Sequence, residues 1–182
     1  MAFLWPLLVL LALFVGFLQL LTTDGGTATT PGPQRTGSPS PTPSATATPP
    51  PFVLPNVKSL EEATVVDVID GDTIDVLMNG EDRRVRYYGI DAPERDERCY
   101  DEATERNREL VGSSVRLKAD ARDQDEGGRL LRYVFTEDGV SVEAILLAEG
   151  LAEAWRRDGT YVTRLTTLET HAREHGTGCL WE

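Results

Sequence analysis

The stretch TVVDVIDGDTIDVLMNGEDRRVRYYGI, residues 64–90, decides the fold. It contains three runs rich in β-branched and aromatic residues, and two turn signals, Asp70-Gly71-Asp72 and Asn79-Gly80, separate them. Such runs favour strands, and an Asn-Gly pair favours a tight hairpin. The sequence therefore predicts three consecutive antiparallel strands, over residues 64–69, 73–78 and 83–90.

Downstream of this meander the pattern changes between helical and alternating spacing. Helical composition predicts three helices, over residues 101–111, 142–149 and 160–175, with Thr160 as the cap of the last one. Alternation predicts two more strands, over residues 114–119 and 129–136. Three strands, a helix, two strands and two helices suit a mainly β, α+β fold. We expect a closed five-stranded barrel of the OB type with three helices.

The N-terminal segment, residues 1–21, is apolar, and residues 2–21 carry no charge. Twenty helical residues span about 30 Å, which is the thickness of a bilayer core. We favour an uncleaved transmembrane anchor, because nothing positive precedes the run and no small-residue cleavage motif follows it. A cleaved signal peptide is the alternative.

Residues 22–57 read as a disordered linker, because 20 of the 30 residues between Thr22 and Pro51 are Pro, Thr or Ser. Such a composition buries too little apolar surface to fold. The folded domain is then residues 58–182. We expect a single-pass protein of the cell membrane, anchored through residues 2–21, with its domain outside the cell. Secretion after cleavage is the alternative.

The formal charge of −12 is carried by the folded domain, because Asp24 and Arg35 cancel in the linker. This balance argues against a protein that grips nucleic acid by bulk electrostatics, although it permits an enzyme with a few well-placed arginines. Two cysteines exclude a disulfide-rich scaffold and a four-cysteine zinc module.

Carboxylates stand at the ends of two predicted strands. Asp72 opens the second strand and Asp91 closes the third, so a hairpin would bring both to the same end of the sheet. Two converging carboxylates repel each other unless a cation lies between them, and oxygen donors select Ca²⁺ or Mg²⁺. Pro93 favours extended geometry at Ala92, whose carbonyl could add a third ligand.

The neighbouring residues suit phosphoryl transfer. Glu94 lies three residues past Asp91 and could act as a general base on water. Arg86 lies on the third strand, and Arg129 follows the Gly127-Gly128 turn. Guanidinium groups bind phosphate oxygens bidentately and stabilise the charge that grows on them.

In combination, these motifs resemble the staphylococcal nuclease (thermonuclease) family. The resemblance covers about residues 64–181 and rests on three segments: VIDGDT at 68–73, Arg86 with GIDAPE at 89–94, and GRL at 128–130 leading into Tyr133.

The resemblance implies a five-stranded OB barrel and a Ca²⁺-dependent phosphodiesterase acting on DNA, RNA or both. Water would attack phosphorus and the 5′-oxygen would leave, giving 3′-phosphate products. Asp72, Asp91 and the Ala92 carbonyl would hold Ca²⁺, with Asp70 and Thr73 around these ligands. The catalytic set implied for this sequence is Arg86, Glu94 and Arg129.

Two other functions remain open from the sequence: a non-catalytic OB module that binds nucleic acid, and a tethered interaction scaffold. Cys99 and Cys179 could pair outside the cytoplasm, with two free thiols as the alternative. His171 and His175 are spaced i, i+4 on the last helix, where we expect solvated surface. No protein partner is evident, and we expect a monomer.

Overall fold

A computed structural model describes residues 49–182, most of which belong to or pack against a closed β-barrel. The seven strands are β1 (Glu61–Val68), β2 (Thr73–Met78), β3 (Glu81–Tyr87), β4 (Ile90–Asp91), β5 (Ser114–Gln124), β6 (Leu130–Phe135) and β7 (Glu153–Ala154). The barrel order is β1-β2-β3-β6-β5, closed by pairing of β5 with β1. Only the β3–β6 pair among these is parallel. The predicted five-stranded barrel of the OB type is confirmed.

The helices number three in this part of the chain, as predicted: α1 (Tyr100–Val111), α2 (Val142–Ala148) and α3 (Val162–Glu174). A short 3₁₀ turn, Val57–Ser59, precedes β1. Thr160 does not cap α3, which begins two residues later than expected. Its backbone N–H and its hydroxyl instead donate to the Asp120 carboxylate, at 2.6 and 3.1 Å.

The β2–β3 hairpin follows the sequence prediction. Asn79 and Gly80 both have positive φ, 53° and 83°, as a two-residue turn of the I′ kind requires. This turn fixes the register, in which Met78 faces Glu81 and, at the far end of the hairpin, Thr73 faces Arg86. The far end of the hairpin is where the predicted site residues lie.

The third strand is shorter than predicted. β3 ends at Tyr87, and the chain resumes extended pairing only at β4, which pairs with β7 in a separate two-stranded sheet. The cause is Gly89, whose φ of +96° breaks the strand. Asp91 therefore lies on β4 opposite Glu153, rather than at the end of a barrel strand.

The hydrophobic core begins earlier in the chain than residue 58. Phe52 and Val57, which the sequence places in the linker, are both buried. Phe52 packs against Tyr161 with ring centroids 4.8 Å apart, and its carbonyl accepts a hydrogen bond from the N–H of Ser141. Phe52 and Val57 thus extend the packed domain toward the N-terminus.

Residues 1–48, and with them the predicted anchor and most of the predicted linker, lie outside the described residues. Within residues 49–182, no helix combines the length and the apolar character that crossing a bilayer requires.

The cysteines form a disulfide in this structure. Cys99 and Cys179 are bonded with their Cα atoms 5.8 Å apart, across a sequence separation of 80 residues. The bond joins the segment that follows Asp91 to the C-terminal end of the domain.

Candidate active site

Arg86 is the centre of the candidate site. Its Nη1 lies 2.9 Å from Oδ2 of Asp72, and its Nη2 lies 2.5 Å from Oδ1 of Asp91. The same guanidinium donates to the carbonyl of Ile90 at 2.8 Å. The structure therefore brings Asp72 and Asp91 to one positive group, although the second acid comes from β4.

Burial distinguishes the two carboxylates. The Asp72 side chain is 5% exposed, whereas that of Asp91 is 62% exposed. Burial raises the pKa of Asp72 to about 7, against the opposing effects of Arg86 and of the Ala92 N–H. Asp72 thus needs a positive charge beside it to ionise at low cost.

Around Asp72, short hydrogen bonds fix the carboxylate. The Ala92 N–H donates to Oδ2 at 2.6 Å, and the Thr73 hydroxyl donates to Oδ1 at 3.1 Å. Asp70 accepts from the Asp72 N–H at 3.0 Å, which closes the turn. Ala92 therefore contacts Asp72 through its amide.

Asn107 contacts the turn that carries Asp72 although no motif of the sequence singles it out, and Gly71 of the predicted turn has a steric role. The fully buried Asn107 amide donates to the Asp70 carbonyl at 2.8 Å, and its oxygen accepts from the Tyr87 hydroxyl at 2.7 Å. A Cβ on Gly71 would lie 2.7 Å from Cβ of Ala92, so only glycine fits the turn. An asparagine on the buried side of α1 was the available signal.

Arg129 immediately precedes β6, and Asp125 orients it. The Asp125 carboxylate accepts from Arg129 Nε at 2.6 Å and from the backbone N–H groups of Gly127 and Arg129 at 2.9 Å. These bonds hold the pKa of Asp125 below its usual range, although its partial burial opposes them. Of the Arg129 guanidinium nitrogens, only Nε has a partner among residues 49–182, so within that range the two outer nitrogens are available for a ligand.

A cavity of about 150 Å³ joins the two arginines. Arg86 and Arg129 both line it, together with aromatic side chains of Tyr88 and Trp155. Two guanidiniums beside flat apolar walls suit a ligand that carries both a phosphate group and a ring.

Glu94 lies apart from these contacts. It is exposed, and its N–H donates to the Glu97 carboxylate at 2.8 Å. Its own carboxylate makes no hydrogen bond or ion pair with any residue between 49 and 182. The carboxylate is therefore accessible to water and to a ligand.

Asp72 and Asp91 are the side chains beside Arg86 that could hold a hard divalent cation, because carboxylate oxygens are the donors that Ca²⁺ and Mg²⁺ prefer. Across the part of the chain that the structure describes, no group of three or more His, Cys, Asp or Glu residues surrounds a metal position. Water and carbonyl oxygens would have to complete the coordination.

The two histidines differ in exposure: His175, which follows the last residue of α3, is exposed as expected, whereas His171 is not. His171 is buried, 9% exposed, and its ring stacks on that of His175 with centroids 4.0 Å apart. α3 packs His171 against the domain, so only His175 belongs to the solvated surface.

A family model described as "Staphylococcal nuclease homologue" matches residues 84–182. Endonuclease YncB of Bacillus subtilis (strain 168) is 45% identical over 105 residues, which is 53% of this chain and 49% of that protein. An uncharacterized endonuclease of Escherichia coli O157:H7 is 34% identical over 118 residues, which is 64% of this chain and 74% of that protein. A thermonuclease of Staphylococcus intermedius is 38% identical over 101 residues, which is 52% of this chain and 60% of that protein.

The chain spans about half the length of the B. subtilis protein. The matched segment contains Arg86, Asp91, Glu94 and Arg129, and begins after the Asp70–Thr73 turn. It exceeds half of the chain, and the barrel and the arginine-centred site agree with it. This chain therefore belongs to the staphylococcal nuclease homologue family.

Proposed function

We propose that this protein is a Ca²⁺-dependent nuclease that hydrolyses phosphodiester bonds of DNA, RNA or both with little sequence preference. The observation that carries the proposal is the position of Arg86, which contacts both Asp72 and Asp91 and shares one cavity with Arg129. The names of the relatives, endonuclease and thermonuclease, support the same activity.

Each site residue has a distinct proposed role. Asp72, Asp91 and the Ala92 carbonyl would hold Ca²⁺, which supplies positive charge next to the phosphate oxygens. Asp70 and Thr73 fix Asp72 by their hydrogen bonds. Arg86 and Arg129 bind the phosphate and stabilise its growing charge, an effect worth about 10²–10³ in rate for one donor.

Glu94 is the proposed base. Its exposed carboxylate takes a proton from the attacking water, whose oxygen forms the new bond to phosphorus. The bond from phosphorus to the 5′-oxygen breaks, and this oxygen leaves with a proton from solvent. The products would carry a 3′-phosphate and a 5′-hydroxyl.

The first experiment compares the purified full chain with Glu94→Gln and Arg129→Ala on denatured DNA and on RNA, with Ca²⁺ and with a chelator. We expect the chelator to abolish cleavage and each variant to lose about 10²-fold or more in kcat. Glu126→Gln is the control, because Glu126 makes no side-chain ion pair or hydrogen bond with residues 49–182. Equal digestion by all proteins would refute the catalytic roles.

A second proposal concerns placement. We propose that residues 1–21 anchor the protein in the cell membrane and that the domain lies outside the cell, or is released by cleavage. The Pro/Thr/Ser composition of the linker and the disulfide support an external domain. Protease treatment of intact cells should remove the domain, and a fully protected domain would contradict this placement.

A further inference from the structure

Asp158 connects three separate parts of the chain through one carboxylate. Its Oδ2 accepts from the Tyr88 hydroxyl at 3.0 Å and from Arg122 Nε at 2.6 Å. Its Oδ1 accepts from the Trp155 indole N–H at 2.8 Å and from Arg122 Nη2 at 3.1 Å. Tyr88 follows β3, Arg122 lies on β5 and Trp155 follows β7, so one carboxylate joins side chains from three separate elements.

All three donors line the cavity that contains Arg86 and Arg129, whereas Asp158 itself does not. The donors also stack on neighbours: the Arg122 guanidinium lies 5.1 Å from the centroid of the Tyr88 ring, and that of Arg157 lies 4.8 Å from the centroid of Trp155. The Asp158 carboxylate therefore fixes the walls of the cavity from behind.

We propose that Asp158 is a positioning residue that holds Tyr88, Arg122 and Trp155 in the arrangement that receives the nucleotide next to the phosphate bound by the two arginines. This inference rests on the proposed nuclease function. A fixed wall costs less entropy when the substrate binds than a mobile one does, so Asp158 contributes to substrate affinity. It does not touch the reacting atoms, and we expect no direct effect on the chemical step.

Electrostatics alone predicts that removal of the Asp158 carboxylate would strengthen substrate binding. Removing a carboxylate near the cavity makes it more positive and releases the Arg122 guanidinium, and both changes favour a polyanionic substrate. A purely electrostatic Asp158 would therefore give a variant with a lower KM. The positioning role gives a variant with a higher KM, so the direction in which KM changes distinguishes the electrostatic role from the positioning role.

The test compares the full chain with Asp158→Ala and Asp158→Asn in steady-state cleavage of single-stranded DNA with Ca²⁺. We expect Asp158→Ala to raise KM about tenfold, within the range for loss of one base-stacking contact, with kcat within about twofold. Asp158→Asn keeps one acceptor oxygen and should fall between the wild type and Asp158→Ala. Glu126→Ala, which removes one acid that makes no side-chain hydrogen bond or ion pair with residues 49–182, should leave KM unchanged.

Tryptophan fluorescence provides a readout that does not depend on turnover. In the wild type the Trp155 indole is held by a carboxylate, so Asp158→Ala should shift its emission and increase its quenching by acrylamide. Subtracting the spectrum of Trp155→Phe isolates this signal from Trp5 and Trp181. Circular dichroism and the thermal midpoint establish that each variant is folded, and Asp158→Asn serves if Asp158→Ala does not fold.

The outcomes are distinguishable. An inactive wild type would refute the proposed function, and anisotropy of a labelled oligonucleotide together with the fluorescence would then still test Asp158. An active wild type with an unchanged or lower KM in folded Asp158→Ala would overturn the positioning role. A loss confined to kcat would overturn it as well, because it would place Asp158 in the chemical step.

Discussion

Asn107 shows how one buried amide maintains the geometry of the candidate site. It is held between the Tyr87 hydroxyl and the Asp70 carbonyl, so it connects α1 to the turn that carries Asp72. Asn107 lies within the predicted helix 101–111, but its partners lie 20 and 37 residues away along the chain. Those distances along the chain are why no local pattern identified it.

Replacing this amide should destabilise both the fold and the site. Asn107→Ala leaves the buried Tyr87 hydroxyl and the partly buried Asp70 carbonyl without this partner, at a cost of about 1–3 kcal/mol for each group that stays unpaired. We expect a loss of at least about 2 kcal/mol in urea unfolding and a lower cleavage rate. Thr104→Val is the matched control, because the buried Thr104 hydroxyl has no partner among the described residues. If both variants unfold at the same urea concentration, the network carries little stability.

Glu143 is a second buried polar residue, and it lies away from the candidate site. Its carboxyl is fully buried and accepts from the Val134 N–H at 2.6 Å and from the Ser141 hydroxyl at 2.8 Å. Burial raises its pKa from 4.5 to about 8, because these hydrogen bonds only partly offset the loss of hydration. The folded protein therefore keeps a proton here that the unfolded chain has already lost.

The sign of the resulting pH dependence follows from this difference. Between about pH 4.5 and pH 8 the native state binds more protons at Glu143 than the unfolded state, so its contribution to stability falls as pH rises. Above about pH 8 the contribution of Glu143 to stability is fully lost. We expect Glu143→Gln, which keeps an acceptor for Val134, to lack this decline in unfolding experiments across the range. If the free energy of unfolding changes with pH in the same way for the variant and the wild type, the raised pKa of Glu143 is contradicted.

At the scale of elements, the barrel could be predicted well from the sequence, whereas the β4–β7 pair that carries Asp91 could not. The β-branched runs define β1 and β2, and the Asn-Gly turn defines the β2–β3 hairpin, because both signals are local. The β4–β7 pair depends on Glu153, which lies 62 residues after Asp91. β5 also runs to Gln124, past the predicted end at residue 119, because its exposed polar half has no alternating pattern.

Gly89 is the local cause of the split between β3 and β4. Its φ is +96°, and a Cβ there would lie 2.7 Å from Cδ1 of Leu165 on α3. Gly89→Ala therefore combines backbone strain with a clash, whereas Gly80→Ala, at φ +83°, meets no atom within 4 Å. We expect Gly80→Ala to cost about 1–2 kcal/mol and Gly89→Ala to cost about 1–3 kcal/mol more. Chemical denaturation of both variants measures the difference, and equal losses would show that α3 yields to the added methyl group.

At the scale of the whole molecule, the acidic surface is the property that separates this domain from a general nucleic-acid binder. The formal charge is −12, and many arginines are already paired with acids, among them Arg84 with Asp75, Arg106 with Glu149 and Arg122 with Asp158. Such pairs offer little free positive charge to a polyanion. Affinity must therefore come from the few groups in the cavity and from any bound Ca²⁺, while the remaining surface repels the substrate.

This balance predicts an inverted salt dependence. For a basic nuclease, added salt weakens binding because counterions compete for the phosphates. Here salt screens the repulsion, because the Debye length falls from about 30 Å at 0.01 M to about 8 Å at 0.15 M. At fixed Ca²⁺ we expect kcat/KM on long single-stranded DNA to rise several-fold over that range, and to change little on a dinucleotide that carries one phosphate. A steady fall with salt on the long substrate would show that the cavity arginines, rather than the acidic surface, control the approach of the nucleic acid.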